Sequence, residues 1–311
     1  MFVIKYRKIF FTITVLLVLF SFFAIFYFGL NFGIDFKGGS ILEVSYPTAI
    51  GETDAITALA ARPAIESVKA KLDTLDLGDY SIRPSGDSNF ILRTKEITSE
   101  KKDDVLDALT SGSSIPKEER FNTIGPVIGK ELRNKAFVAL LVAVLGIVLF
   151  VTFAFRKVSE PVSSWKYGLA TIIALAHDVL VPTGIFIVFL KLHGGEIDVL
   201  FVTALLAILG YSVHDTIVVF DRVRENLRVN RETRKQEEFE TTVGRSVAQT
   251  FSRSINTSLT IFLVLVALYF IGGETTRNFA FVLLVGVIAG TYSSIFLASP
   301  LLVWFEKLQK K

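Results

Sequence analysis

Five ionisable residues stand within or beside long apolar stretches: the pair His177-Asp178, the pair His214-Asp215, and Arg253. An ionisable group in such surroundings is costly to keep and is a functional-site candidate by default. Asp215 lies in the apolar run 205–220. Burial favours the neutral form of a carboxyl, and a neighbouring guanidinium, which keeps its proton, favours the charged form. An Asp–Arg pair therefore has two states, charged and paired or protonated and released. That is what proton coupling needs. The same residues also fit a static ion pair between two helices, or exposure at a span end. Arg253, Asn256, Thr257 and Thr260 fall at i, i+3, i+4 and i+7 on one helical face. Ser254 and Ser258 lie beside them. Such a stripe should face other helices or a water-filled path rather than lipid. Asp178 is a second candidate. Pro182, four residues on, removes the helical donor to its carbonyl, so the helix should kink or loosen there. A polar side chain that merely stabilises a kink is the competing reading.

Other chemistries are poorly served. The chain has no cysteine and only three histidines, His177, His193 and His214. There is no disulfide, no thiolate ligand and no cysteine nucleophile. Each intramembrane His precedes its Asp directly, so the two side chains point to different helix faces. Neither span offers the H-E-x-x-H spacing that sets two metal ligands on one face. Ser212 or Ser258 as a nucleophile lacks a clear base. No metal, cofactor or enzymatic activity is assigned.

These residues must be positioned by membrane helices. The 311-residue chain is 51% hydrophobic and only 20% charged, with a mean hydropathy of +0.53. Its apolar residues are clustered, which excludes a soluble enzyme and a disordered chain. A net charge of +3 gives no case for nucleic acid. Six segments approach the roughly 20 apolar residues a spanning helix needs: 9–30, 136–155, 167–190, 198–220, 256–271 and 279–304. The fifth is short and can begin earlier, near Arg253. The first follows Lys5, Arg7 and Lys8 as a signal peptide would, but it is too long for a signal core and has no small-residue cleavage site. It reads as a retained span. Basic residues gather at the N-terminus, in 156–166, in 222–253 and at Lys307, Lys310 and Lys311, while the alternate loops carry only Lys191 and Arg277. Both termini are therefore expected in the cytoplasm.

Residues 31–135 then lie outside and make one domain. Ser40–Tyr46 alternates as a strand. Thr53–Leu75 reads as a helix interrupted at Pro63. Asp79–Arg83 and Asn89–Arg93 are strands joined by a turn cluster at 84–87. Thr98–Leu109 is a helix with an N-cap at Thr98 or Ser99, and Glu119–Ile124 is a last strand. The order β-α-β-β-α-β is the ferredoxin-like split βαβ unit. The fold class is thus six transmembrane helices with an external α+β ferredoxin-like domain between helices 1 and 2. The divisions are 1–30, 31–130 and 131–311, with a cytoplasmic linker at 222–253. In that linker Phe239, Val243, Val247 and Phe251 form one apolar stripe. It suits a helix on the membrane surface or one packed on the chain's own spans. Gly286, Gly290, Ser294 and Ala298 make a small-residue row in span six, read as close helix packing.

Several segments carry a family likeness. Gly33-Ile34-Asp35-Phe36-Lys37-Gly38-Gly39 after span one resembles the signature of the SecD/SecF family. Gly125-Pro126-Val127-Ile128-Gly129 resembles its Gly-Pro-x-x-Gly element, and Ala176-His177-Asp178 matches in span three. Gly210-Tyr211-Ser212-Val213-His214-Asp215-Thr216, running into Phe220-Asp221-Arg222-Val223-Arg224-Glu225-Asn226, is the most specific stretch. Arg253-Ser254-Ile255-Asn256-Thr257-Ser258-Leu259-Thr260 is similar to the Arg-Thr-x-x-Thr-Ser-x-Thr element. The likeness covers essentially the whole chain. One span, a modest soluble domain and five more spans resemble the SecF branch rather than SecD, whose external region is much larger. His214 stands where many relatives have Asn, which places an ionisable neighbour beside Asp215. Ser254 replaces a Thr.

The resemblance implies a role in a bacterial inner membrane. There SecF pairs with SecD in a twelve-span assembly of the resistance-nodulation-division (RND) type. The pair associates with the SecYEG channel, and YajC and YidC are further candidate partners. It promotes late preprotein export with the proton-motive force. Asp215 and Arg253 match the proton-relay positions, with Thr257, Ser258 and Asp178 near them, and an Asp from SecD completes the site. Protonation of Asp215 would weaken its hold on Arg253 and let the two halves shift. Asp35, Gly38, Gly39, Gly125 and Pro126 match the family's motif positions. The Gly33–Gly39 segment fits a hinge, or a tight turn where only glycine is accommodated. The competing classes are a passive scaffold of the Sec channel and an RND-type small-molecule or lipid exporter.

Overall fold

A computed structural model describes residues 2–46, 62–86, 88–111, 115–156 and 162–309. In chain order the elements are α1 (Phe2–Lys5), α2 (Arg7–Phe28), α3 (Ile34–Lys37), β1 (Gly39–Ser45), α4 (Ile65–Leu72), β2 (Ser81–Ser85), β3 (Asn89–Thr94), α5 (Ser99–Leu109), β4 (Lys117–Ile124), α6 (Pro126–Ala154), α7 (Ser164–His193), α8 (Val199–Glu232), α9 (Phe239–Ile271), α10 (Glu274–Tyr292), a π-helical turn Ser293–Ala298, and α11 (Ser299–Gln309). They form two compact units, one of residues 1–31 with 137–311 and one of residues 32–136.

The first unit holds six helices long and apolar enough to cross a membrane: α2, α6, α7, α8, α9, and the last run from α10 through the π turn to α11. α7, α8 and the last run form the buried centre, whereas α2, α6 and α9 keep most of their surface outward. Near one end, the ring of Tyr167 stacks on Phe155 at 5.3 Å, and Phe220 meets both edge-on. Close approach is set by glycine. A Cβ on Gly184 would fall 2.4 Å from the Ser21 backbone, and one on Gly286 would fall 2.1 Å from Ile208. The small-residue row of span six does pack closely, as its sequence suggests.

The linker 222–253 is a helical hairpin. α8 runs on to Glu232, and α9 starts at Phe239 and continues through the whole fifth span. The stripe Phe239, Val243 and Val247 is buried against the chain's own spans, and Phe251 is exposed. Of the two readings of this stripe, internal packing is the one observed. Glu237 secures the turn. It accepts from Asn230 (2.9 Å), Thr242 (3.0 Å) and the Arg245 guanidinium (2.7 Å). Burial works to raise its pKa, but these hydrogen bonds and the charges of Arg245 and Lys235 outweigh it and hold the carboxyl below the ordinary range.

The second unit is one antiparallel sheet of order β2-β3-β1-β4 with α4 and α5 on it. This is the ferredoxin-like strand order. The alternation in β1 sends Leu42 and Val44 inward, onto Val68 and Leu72 of α4 and Val105 and Leu109 of α5. Tyr46, just past the strand, is buried, its hydroxyl donating to Leu109 O at 2.8 Å. Burial pushes that phenol up to about 12, so it remains a neutral donor. Thr98 caps α5, accepting from Lys101 N. Two boundaries differ from the sequence reading. Pro84 and Ser85, expected in a turn, belong to β2, and β2 is an edge strand, where a missing N–H costs no ladder bond. Of the helix expected over 53–75, only α4 is seen, and 53–61 lies outside the described residues.

Candidate functional site

Asp178 sits mid-way along α7 with no exposed surface. α7 continues through Pro182 without a break in the helix. The kink or loosening expected there does not interrupt the helix, and the neighbouring Thr183 hydroxyl donates to Val179 O at 2.6 Å. Asp178 Oδ2 accepts from Ser212 of α8 and from Ser293 of the π turn (2.8 Å). Its Oδ1 lies 2.9 Å from His177 Nδ1. The His177 ring is itself buried and stacks on Tyr292 at 5.9 Å. Tyr292 donates to Phe10 O of α2.

Asp215 on α8 is 6% exposed. Its Oδ1 accepts from Ser254 of α9 (2.6 Å) and its Oδ2 from Ser294 (2.7 Å). A third set of hydroxyls adjoins these. Tyr211 donates to Ser258 (2.6 Å), and Ser258 meets Thr291 at 2.6 Å. Four consecutive residues of the last span, Thr291 to Ser294, thus reach α9, α2, α7 and α8 in turn.

The expected Asp215–Arg253 pair is not formed within this chain. Successive residues on a helix point about 100° apart, and here Ser254 takes the inward position while Arg253 faces out. Asn256, Thr257 and Thr260 are exposed on the same side as Arg253, and Ser258 is inward with Ser254. His214 also faces out, away from Asp215. Each carboxylate is therefore ringed by hydroxyl donors from neighbouring spans. An ionised carboxylate, which only accepts, fits that ring.

Ser293 and Ser294 were not legible as ligands. Ser294 belongs to the small-residue row that suggests close packing, and Ser293 has no pattern of its own in the sequence. The available signal was Pro300. A proline in a helix withholds its N–H from the carbonyl four residues back and crowds that carbonyl with its ring. The turn before Pro300 is accordingly the π segment, with Ser299 Oγ donating to Ser294 O at 3.0 Å.

The motif glycines lie in the sheet unit. Gly38 (φ +83°) and Gly39 (φ +134°) adopt conformations that disfavour other residues. A Cβ on Gly38 would fall 2.7 Å from Pro126 Cα, and one on Gly39 would fall 2.5 Å from Thr94 O. A Cβ on Gly129 would fall 2.7 Å from Gly38 N. The two motifs therefore meet backbone to backbone. Both glycines adopt turn conformations here, with Asp35 in the single turn of α3 that precedes them. Among the described residues no group of three or more His, Cys, Asp or Glu is placed to hold a metal.

Comparison with known proteins bears on the same segments. Residues 105–308 match the family model described as "Protein export membrane protein SecD/SecF, C-terminal", and residues 23–46 match the SecD/SecF GG motif. The chain belongs to the SecD/SecF family. It is 42% identical to the protein translocase subunit SecF of Thermobaculum terrenum, over 98% of this chain and 93% of that one. It is 38% identical to the SecF subunit of Anaerolinea thermophila, over 96% and 92%. Among solved structures it resembles the translocon-associated membrane protein SecDF of Thermus thermophilus, with a TM-score of 0.79 and 31% identity. That likeness covers 98% of this chain but spans only 38% of SecDF. SecDF in its super-membrane-facing form gives a TM-score of 0.66. All six spans of this SecF-like chain, and its soluble insert, have counterparts in the family.

Proposed function

We propose that this chain is the SecF-type subunit of a protein-export complex, pairing with SecD and using the proton-motive force to promote late preprotein translocation through SecYEG. The relatives named as translocase subunits support the export role. The observation that carries the proton role is the pair of buried carboxylates, Asp178 and Asp215, each held by serine hydroxyls, with His177, among the described residues, as the one ionisable side chain bonded to either. Binding a proton there changes a buried charge, and moving one charge across the membrane supplies about 2.3 kcal/mol per 100 mV. Arg253, Thr257 and their stripe face out from a mostly apolar helix, where lipid would be a poor neighbour. In this reading they receive the matching half of SecD, with an acidic residue opposite Arg253, and Ser258 completes the hydroxyl path. Basic loops and both termini face the cytoplasm, and residues 31–130 lie on the outer side of the inner membrane. YajC and YidC are candidate neighbours.

The test is preprotein export into inverted membrane vesicles, comparing wild type with Asp215→Asn, with and without an uncoupler. The uncoupler is expected to lower late export in wild type, and the variant to sit at that lower level already. A variant that matches wild type, with both responding alike to the uncoupler, would make the carboxylate structural and the chain a scaffold of the channel.

A further inference from the structure

The shells of Asp178 and Asp215 are built differently on their two sides. Ser212 and Ser254 each have the carboxylate as their recorded acceptor. Ser293 and Ser294 each have two. The Ser293 hydroxyl lies 2.8 Å from Asp178 Oδ2 and 3.1 Å from Gly290 O. The Ser294 hydroxyl lies 2.7 Å from Asp215 Oδ2 and 3.1 Å from Thr291 O. A serine has one hydrogen to donate. Beside an ionised carboxylate that hydrogen points at the carboxylate. Beside a protonated one the acid donates to the serine oxygen, and the serine hydrogen turns to the main-chain carbonyl three residues back. Both carbonyls belong to the turn where α10 passes into the π segment. Single π turns inside helices are a recurrent feature of functional sites.

We infer that Ser293 and Ser294 act as paired hydroxyl rotors that report the proton occupancy of Asp178 and Asp215 to the α10–π junction, and so couple the two carboxylates to each other. They are positioning residues. The proton itself goes to and from the carboxylates, and nothing is oxidised or reduced. The inference rests on the reading of Asp178 and Asp215 as proton sites. The ionisable groups around them are few. On α7 there is His177. On α8, His214 faces out and Tyr211 donates to Ser258. On α9, Arg253 faces out. On α10, Tyr292 donates to Phe10 O, and α2 carries no charge after Lys8. The two serines are adjacent in sequence, so one change at the junction moves both.

The test is a pH titration of the protonated-carboxyl stretch by infrared difference spectroscopy on the full chain with its partner subunit in vesicles. Asp178→Asn and Asp215→Asn assign the bands. Coupling predicts that Asp178→Asn moves the Asp215 midpoint by about one pH unit, a tenfold change in proton affinity. It also predicts that Ser293→Ala moves the Asp215 midpoint although, of the two carboxylates, Ser293 bonds Asp178 and not Asp215, and that Ser293→Thr, which keeps the hydroxyl, restores it. Amide exchange of residues 290–299 in the wild-type chain, which needs no variant, should change at the same pH as the carboxyl bands. Midpoints that ignore each other's variants, or exchange that stays flat while the bands titrate, would overturn the coupling and leave the proton reading standing. Bands that do not titrate between pH 5 and 9 would overturn both.

Discussion

Glu237 shows how much a single side chain settles at the turn between α8 and α9. It gathers Asn230, Thr242 and Arg245 around one carboxylate held below the ordinary glutamate range. A depressed carboxyl contributes stability that is complete above its unfolded-state value and lost as the pH falls through its lower folded value. The turn should therefore hold through neutral and mildly acidic pH and loosen only below the usual glutamate range. Amide exchange over 233–245 at stepped pH reads this, and Glu237→Gln should loosen the turn already at neutral pH. Asp178 and Asp215 were legible at the same scale, because a lone acid in an apolar run is conspicuous. Their partners were not. The four serines that hold them come from three different elements, and a serine in a membrane helix can always satisfy itself on its own backbone. Arg253 stands out in the sequence as a charge at the head of an apolar run, yet the periodicity that puts it on one face with Thr257 could not say that this face points outward. Only the inward setting of Ser254 and Ser258 decides that.

At the scale of elements, α10, the π turn and α11 form one span with a built-in change of winding. Pro300→Ala restores the missing N–H and removes the ring. The segment 293–298 should then rewind toward α-helix, and Ser293 and Ser294 should lose their aim at the two carboxylates. The expected outcome is a chain at least as heat-stable in detergent as wild type but with proton-dependent export reduced toward the Asp215→Asn level. A differential scan beside the vesicle assay separates this from simple misfolding. The spans themselves were readable from length and hydropathy, and the strand order of the soluble unit from alternation and turn chemistry. The boundaries that moved have local causes. Pro84 is accepted because β2 is an edge, and α8 and α9 outrun the membrane because their polar ends pack on each other and on Phe239, Val243 and Val247.

For the whole molecule, the polar side chains divide into two sets. The inner set joins five spans of this chain: α2, α7, α8, α9 and the last. The outer set, Arg253, Asn256, Thr257 and Thr260, is left without spans of its own. Six helices with one such outward stripe are expected to be half of a larger bundle. Thr257→Trp should reduce co-purification with the SecD subunit severalfold, whereas Ile255→Trp, an exposed apolar position about 160° round the same helix, should leave it unchanged. Equal recovery in both would place the partner on another face.

Gly39 and Ile124, at the two ends of the soluble unit's sheet, are direct partners across adjacent strands, and the Gly38–Pro126 contact closes the gap between them. The entry and exit of about 85 residues are therefore a single ladder step apart, at the strand spacing of about 4.8 Å. An insert tied off in this way behaves as a cassette. It can lengthen, shrink or be exchanged during evolution, or by an engineer grafting a reporter, while the chain that re-enters α6 starts from the same place.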